Sequence, residues 1–390
     1  MKTISVLAIS IAVLGLALFP YSSPPPATDP LINPDKAAWE LFVSVNKPVN
    51  GNALLWETWT QAARIFEIPV KPKTPAKFSG KFELSKAIRN ELLLQPPDPA
   101  PDPKVVFQHA EPKLCSPELT DSRHQVMFND DMVRYIMDNE LYNVEGQIAA
   151  VQKGEIQFPP TSIAVKAVWE PIDPQSKDQF YYRECGNSVY GLIALHIAAK
   201  RLKDWFWTTF EHTKTDEKHN QDQCQKVDCV DTFGAVPPTG LQHQQTPELV
   251  QLLSQIGSQG KSVWSHYRLI GTQVNFTNAM GKTLLGNSIL EKGMVASSSC
   301  ITCHSRSTIS KDKTRLSVVK SDKTGFTGEK EPGWYLDDKG QPKFYQLDYL
   351  WSFILAKGKD TDTPVLPSSL NCNGKEPLSG SPPEDCPMPK

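Results

Sequence analysis

Net charge is almost absent from this chain: 41 Lys and Arg stand against 43 Asp and Glu over 390 residues, a formal −2. That balance excludes the basic footprint of a nucleic-acid binder and any general attraction to a charged membrane surface. The chain has no Walker-type phosphate loop, no dinucleotide fingerprint and no G-x-S-x-G elbow, so the commonest nucleotide and serine-hydrolase chemistries have no anchor. No internal repeat recurs, which removes solenoids and propellers. No cysteine precedes Cys115, which excludes lipoprotein processing at the N-terminus. After position 304 there is no histidine, and the only methionine is Met388, two residues from the end.

What is present is a Cys300-Ile301-Thr302-Cys303-His304 motif. C-x-x-C-H is the attachment signature of a c-type haem: two sulfurs on one side of a turn form thioethers with the vinyl groups, and the adjoining imidazole meets the iron. Cys300 and Cys303 are thus the attachment sites for one covalent haem c, and His304 is the proximal iron ligand. The competing reading is half of a zinc site, with Cys224 and Cys229 as the missing pair.

The N-terminus agrees with an exported haem protein. Lys2 precedes an apolar run over 4–19, closed by a Pro-rich stretch over 20–26. This is the layout of a secretory signal, with an uncleaved anchor as the alternative. Residues 1–27 are read as signal peptide or anchor, the location as periplasmic, and membrane association as conditional on retention of that segment. Beyond the haem pair, Cys115, Cys185, Cys224, Cys229, Cys372 and Cys386 form an even set suited to an oxidising compartment. Local loop closure favours Cys224 with Cys229 and Cys372 with Cys386, leaving Cys115 with Cys185; fifteen pairings remain formally open.

The rest of the chain, 28–390, reads as a single haem-binding α+β domain: a central antiparallel sheet, peripheral helices and long loops, with the haem segment near the C-terminus. A helical and Pro-rich part covers 28–150, a β-rich core 151–275, and the haem segment with its extension 276–390. Asp35 caps a helix through Trp39, Phe42 and Val43, and a second helix lies over 84–94. Asn129 or Asp130 caps a third with Met132, Tyr135 and Ile136 on one face, ending in a turn region over 139–146. Ile163, Val165, Ala167 and Trp169 alternate with more polar neighbours, the period of a half-buried strand, with 180–183 as its partner. Residues 189–199 form a central strand and 205–212 its antiparallel neighbour, joined by a short polar loop. Thr246 and Pro247 open a short helix, and 262–270 forms one more strand. Asn287 caps a last turn before the motif, and 345–355 is the remaining apolar element.

Because neither histidine nor a well-placed methionine follows the motif, a sixth iron ligand of the usual kind comes from upstream. This separates the chain from a small helical cytochrome module and predicts a pocket shared between sheet and haem segment. Among upstream residues, His212 ranks first and His196 second, each on a strand among apolar neighbours; His266 is third. Met294 is near in sequence but awkward to swing to the distal side, and His109, His124, His219 and His243 fall in polar contexts. An open distal position is the alternative, tuned by Arg268, Tyr267, Glu211 or a strand histidine. Arg306, Lys311, Lys313, Arg315, Lys320 and Lys323 follow the motif and would steer an acidic redox partner if they formed a rim.

The segments AWELF at 38–42, LYNVEGQ at 141–147, FPPTSIAVKAVW at 158–169, GLIALHI at 191–197, TTFEH at 208–212 and LIGTQ at 269–273, together with CITCH at 300–304, resemble a family of large, mostly uncharacterised bacterial exported cytochrome c proteins with a single C-terminal haem motif. The resemblance covers most of the mature chain and carries across Cys300, Cys303 and His304 alone. It implies haem binding and electron transfer, without a substrate. A looser likeness, at the level of fold, is to small β-sheet haem proteins that handle nitrogen oxides. The expectation is a periplasmic monohaem cytochrome exchanging single electrons with a protein partner. Its alternatives are a haem enzyme with an open iron and a ligand-binding or structural protein whose haem serves as a redox sensor.

Overall fold

The computed structural model describes residues 27–49, 53–66, 123–213, 229–239, 244–257, 262–291, 293–317, 320 and 324–358. The leader, the 84–94 helix and Cys115, Cys224, Cys372 and Cys386 lie outside the described residues.

The fold is α+β, organised around a seven-stranded antiparallel sheet. Its strands are β1 (Thr60–Gln61), β2 (Arg123–Phe128), β3 (Ile163–Pro171), β4 (Tyr182–Cys185), β5 (Ser188–Ala199), β6 (Phe206–His212) and β7 (Tyr267–Gln273), in the order β7-β6-β5-β3-β2-β1. β5 is central: it pairs with β3 along its length, with β4 at its start and with β6 at its end. The 180–183 segment expected beside β3 therefore pairs with β5, one strand over. The 262–270 strand begins later, because Ser262 caps a 3-10 turn over Val263–His266 before β7 starts.

Two-residue periodicity sorts the sheet into two faces, and each has its own core. Met127, Val165, Ala167, Trp169, Leu195, Ile197 and Phe210 share one face, packed against α1 (Pro34–Val45). α1 is buried nearly all round and starts with Pro34 after Asn33, whose side chain accepts the Lys36 amide; Asn33, not Asp35, is its cap. Asp35 is spent elsewhere, accepting from Thr232 N and Oγ1 and from Thr272 Oγ1. A register shift after Val168 lets β5 accommodate an extra residue at Ile193.

The opposite face carries Phe128, Ala164, Ala198 and Trp207, with His124, Lys166, His196, Thr209 and Glu211 on the same rows by register. Over it lie α2 (Ala62–Phe66), α3 (Asp130–Asp138), α4 (Val144–Lys153) and the haem-motif helix, while α5 (Pro247–Leu253) packs with α1 on the first face. α3 has Asn129 as its cap, as its sequence indicates. The expected 139–146 turn region is a turn over 139–142, and α4 takes its last three residues: Asn143 caps the helix by accepting the Gly146 amide at 2.7 Å. Helix α6 (Cys300–Ser305), the last α-helix among the described residues, is capped by Ser299 and followed by a small ribbon, β8 (Thr308–Ser310) with β9 (Phe344–Gln346). The apolar 345–355 element divides between β9 and a 3-10 turn over Trp351–Leu355.

Candidate haem site

α6 is only six residues long, so its position depends on side-chain anchors rather than on helix propensity. Gln273, at the end of β7, supplies most of them. Its Oε1 accepts the Ile301 amide at 2.9 Å, and its Nε2 donates to Ser299 Oγ at 2.7 Å and to Thr283 Oγ1 at 2.7 Å. Ile301 is fully buried beneath the helix, and Thr302 Oγ1 donates to the Gly328 carbonyl at 2.7 Å. Helical spacing then turns Cys300, Cys303 and His304 to the other side together.

Cys300 and Cys303 are free thiols, held loosely by the Leu285 carbonyl at 3.4 Å and the Phe326 carbonyl at 3.5 Å. Burial pushes both thiols above their ordinary range, well above it for Cys300, with the Glu291 carboxylate acting in the same direction. His304 Nδ1 lies 2.9 Å from the Tyr349 carbonyl oxygen and packs 4.5 Å from the Trp207 ring. A carbonyl can only accept, so Nδ1 carries the proton and Nε2 is left with its lone pair, the tautomer of a metal-ligating histidine. Burial lowers the His304 pKa to about 4, against the Tyr349 hydrogen bond that raises it, so the ring is neutral at pH 7.

His196, unlike His212, lies on the sheet face of Trp207, the face that α6 covers. His196 pairs with Lys166 on β3 and Thr209 on β6. Burial pushes its pKa down to about 3, and the charges of Lys166, His304 and His124 act in the same sense, which places the two histidines in one electrostatic neighbourhood. Its Nε2 is enclosed without a hydrogen-bond partner, 4.0 Å from Glu291 Oε2. An enclosed imidazole nitrogen with nothing to bond is costly unless something else occupies it. His212 sits on the other face with Phe210 and Tyr267. Its Nε2 is 2.9 Å from the Gln179 carbonyl and its ring stacks on Phe180 at 3.8 Å, the bonding of a satisfied core histidine. His266 lies beside it, 5.8 Å away. The first-ranked candidate, with the third-ranked beside it, therefore lies on the other sheet face from α6, because the one-residue offset between His212 and Glu211 decides which face a side chain joins.

Among the groups expected to tune an open iron, Tyr267 is on the α1 face, its hydroxyl donating to the Leu192 carbonyl at 2.7 Å. Glu211 and Arg268 are opposite one another on the haem-segment face, with Glu211 Oε1 accepting the Ser288 amide. Lys166, Glu291, Trp207 and Tyr349 escaped the sequence reading. Only Lys166 left a signal, as the charged member of an otherwise small or apolar alternate set on β3.

The basic stretch after the motif is divided: Lys311, Lys313 and Lys320 are exposed, whereas its two arginines are buried. Arg306 is buried over the Phe326 ring at 3.8 Å, Arg315 is buried with its guanidinium on Gln147 Oε1 and the Thr308 carbonyl, and Lys313 pairs with Glu145 at 2.8 Å. Lys323 lies outside the described residues. Cys185 and Cys229 are each engaged in a disulfide, which withdraws Cys229 from a zinc set. Among the described residues no three His, Cys, Asp or Glu side chains form a metal-ion cluster, and no helix is long and apolar enough to cross a membrane. The residues nonetheless fit a haem on three counts: an imidazole with the right tautomer, two adjacent free thiols and, on the sheet face that α6 covers, a second imidazole whose enclosed Nε2 has no hydrogen bond. No family model, curated protein or solved structure matches the chain.

Proposed function

We propose that this is an exported monohaem c-type cytochrome that carries single electrons. Cys300 and Cys303 would hold the haem through thioethers, His304 would be its proximal ligand and His196 its distal one. The observation that carries this reading is a Tyr349-anchored His304 in the same electrostatic neighbourhood as a half-buried His196 whose enclosed Nε2 has no hydrogen bond. Bound there, haem supplies an Fe(III)/Fe(II) couple. The chain's own contribution is to fix both imidazoles in neutral form, through burial and the Tyr349 carbonyl, and to exclude water with Trp207 and Ile301. Two neutral imidazoles favour a filled coordination sphere and outer-sphere exchange with a protein partner.

A haem enzyme with an open iron is the second reading. Lys166 and Glu291 beside His196 favour it, since these groups could hold and move protons at a distal substrate. Mass spectrometry of exported protein and absorption and resonance Raman spectra of the ferrous state, with and without carbon monoxide, separate the possibilities. The electron-carrier reading expects a covalent haem mass, a six-coordinate low-spin iron and no rapid gas binding. It also expects His196→Ala to give a high-spin iron that binds the gas. Immediate gas binding by the wild type selects the enzyme reading, and absence of the haem mass refutes both.

A further inference from the structure

Two rings connect His304 with a groove on the far side of Tyr349. Trp207 packs 4.5 Å from the His304 ring, and Tyr349 lies 6.3 Å beyond Trp207. Tyr349 is in turn part of the wall of a groove of about 950 Å³, a volume within the range that encloses small-molecule ligands. Three more rings in that wall, Tyr335, Phe344 and Tyr345, are only half-buried and leave aromatic surface uncovered.

Asp204, also in the wall, ties these parts together. Its backbone carbonyl accepts Trp207 Nε1 at 3.0 Å. Its carboxylate accepts from Lys330 Nζ at 3.2 Å and from the Tyr349 hydroxyl, and both donors use the same oxygen, Oδ1. Oδ2 accepts no hydrogen bond among the described residues, and the side chain is 29% exposed, so this second oxygen is an acceptor open to the groove. Lys330 already supplies the counter-charge, which favours a neutral O–H donor over a second cation. An O–H carried on a flat ring meets both the oxygen and the aromatic wall, because rings stack in offset or edge-on contact.

We propose that this groove binds a small hydroquinone, with one hydroxyl on Asp204 Oδ2 and the ring against the aromatic wall, and that the hydroquinone is an electron donor to the iron. In that step the O–H bond breaks and its proton passes to Oδ2. One electron crosses the packed rings of Tyr349 and Trp207 to ferric iron at His304, which becomes ferrous, while the donor leaves as an aryloxyl radical. Two such radicals disproportionate in solution to one quinone and one hydroquinone. Binding is independent of the haem reading; the electron step rests on it.

The probe is naphthohydroquinone, titrated calorimetrically without oxygen into the full chain with its iron held ferrous, so that binding occurs without oxidation. Its dimethyl ether, with the same rings and no O–H, is the comparison. Saturable binding of the diol is expected, with the ether, Asp204→Asn and Phe344→Ala each weaker, Asp204→Asn by on the order of tenfold. Lys330 and Tyr349 hold the amide oxygen of that variant at the Oδ1 position, so a nitrogen that cannot accept replaces Oδ2. No binding of the diol, equal binding of the ether, or unchanged affinity in both variants overturns the site. Should Asp204→Asn not fold, Phe344→Ala and the ether decide the matter. In ferric protein, stopped-flow reduction by the diol is expected to saturate with its concentration and to be about tenfold or more slower in Asp204→Asn, whereas dithionite reduces both alike. Absent or non-saturating reduction, or an unchanged rate in the variant, overturns the electron route. A chain lacking haem by mass overturns the function proposed above and leaves the calorimetry valid.

Discussion

Asp348→Asn tests what one buried carboxylate contributes to the scaffold behind His304. Asp348 is 6% exposed and Lys200 9%. Asp348 takes Lys200 Nζ and Trp205 Nε1 on one oxygen and the Phe158 amide, at 2.6 Å, on the other. Asn keeps the shape and tolerates the left-handed backbone at this position, φ 46, so what is removed is the charge and one of the two acceptor oxygens. Lys200 is then left with the Lys203 carbonyl at 2.7 Å and no counter-charge. Uncoupling a buried pair in this way costs about 3–5 kcal/mol, a large part of the roughly 5–15 kcal/mol that holds a domain together. Burial raises the Asp348 pKa even though Lys200 lowers it, so desolvation outweighs the partner's attraction. Removing both charges should therefore cost less than removing one: Lys200→Met with Asp348→Asn should recover at least half of the loss. Urea denaturation, read as a change in midpoint at constant slope, measures both. A single variant within about 1 kcal/mol of wild type, or a double variant less stable than the single, refutes the reasoning.

Gly146→Ala should destabilise the protein by about 1–3 kcal/mol in the same assay, because an added Cβ would meet the Glu140 carbonyl oxygen at 2.0 Å; a neutral effect would mean that the turn before α4 yields freely. Asp231 has its pKa raised to about 6 by burial, against hydrogen bonds from Gly234 and Trp39 that lower it. A raised carboxyl stabilises the fold fully below its unfolded value near 3.8 and loses that contribution as pH rises through about 6. The stability of wild type relative to Asp231→Asn should thus fall by up to about 3 kcal/mol between pH 4 and pH 7, and a flat difference would contradict the raised value. For His196→Ala, the spin-state change described above should occur with thioether mass unchanged; an unaltered spectrum would remove His196 from the iron.

Much of this molecule was legible in local pattern. Strands β3, β5 and β6, the caps at Asn129 and Thr246, and the α+β class follow from two-residue alternation, hydroxyl or amide caps and proline at a first helical turn. Helix α4 was hidden because Asn143 and Gly146 read as turn residues, while in the fold Asn143 caps the helix and Gly146 is required for close approach to Glu140. The deepest difference lies between two histidines. His196 and His212 look alike along the chain, each a strand residue among apolar neighbours. Which of them shares a sheet face with α6 depends on strand register and on the side from which α6 docks through Gln273, and the Gln179 carbonyl already satisfies the ring of the other. Short-range spacing determines chemistry that is carried within one turn, as in Cys300, Cys303 and His304. Partners separated by 45 residues, such as His304 and Tyr349, are brought together only when the sheet, α6 and the turn at Asp348 are packed, and no local period encodes that contact.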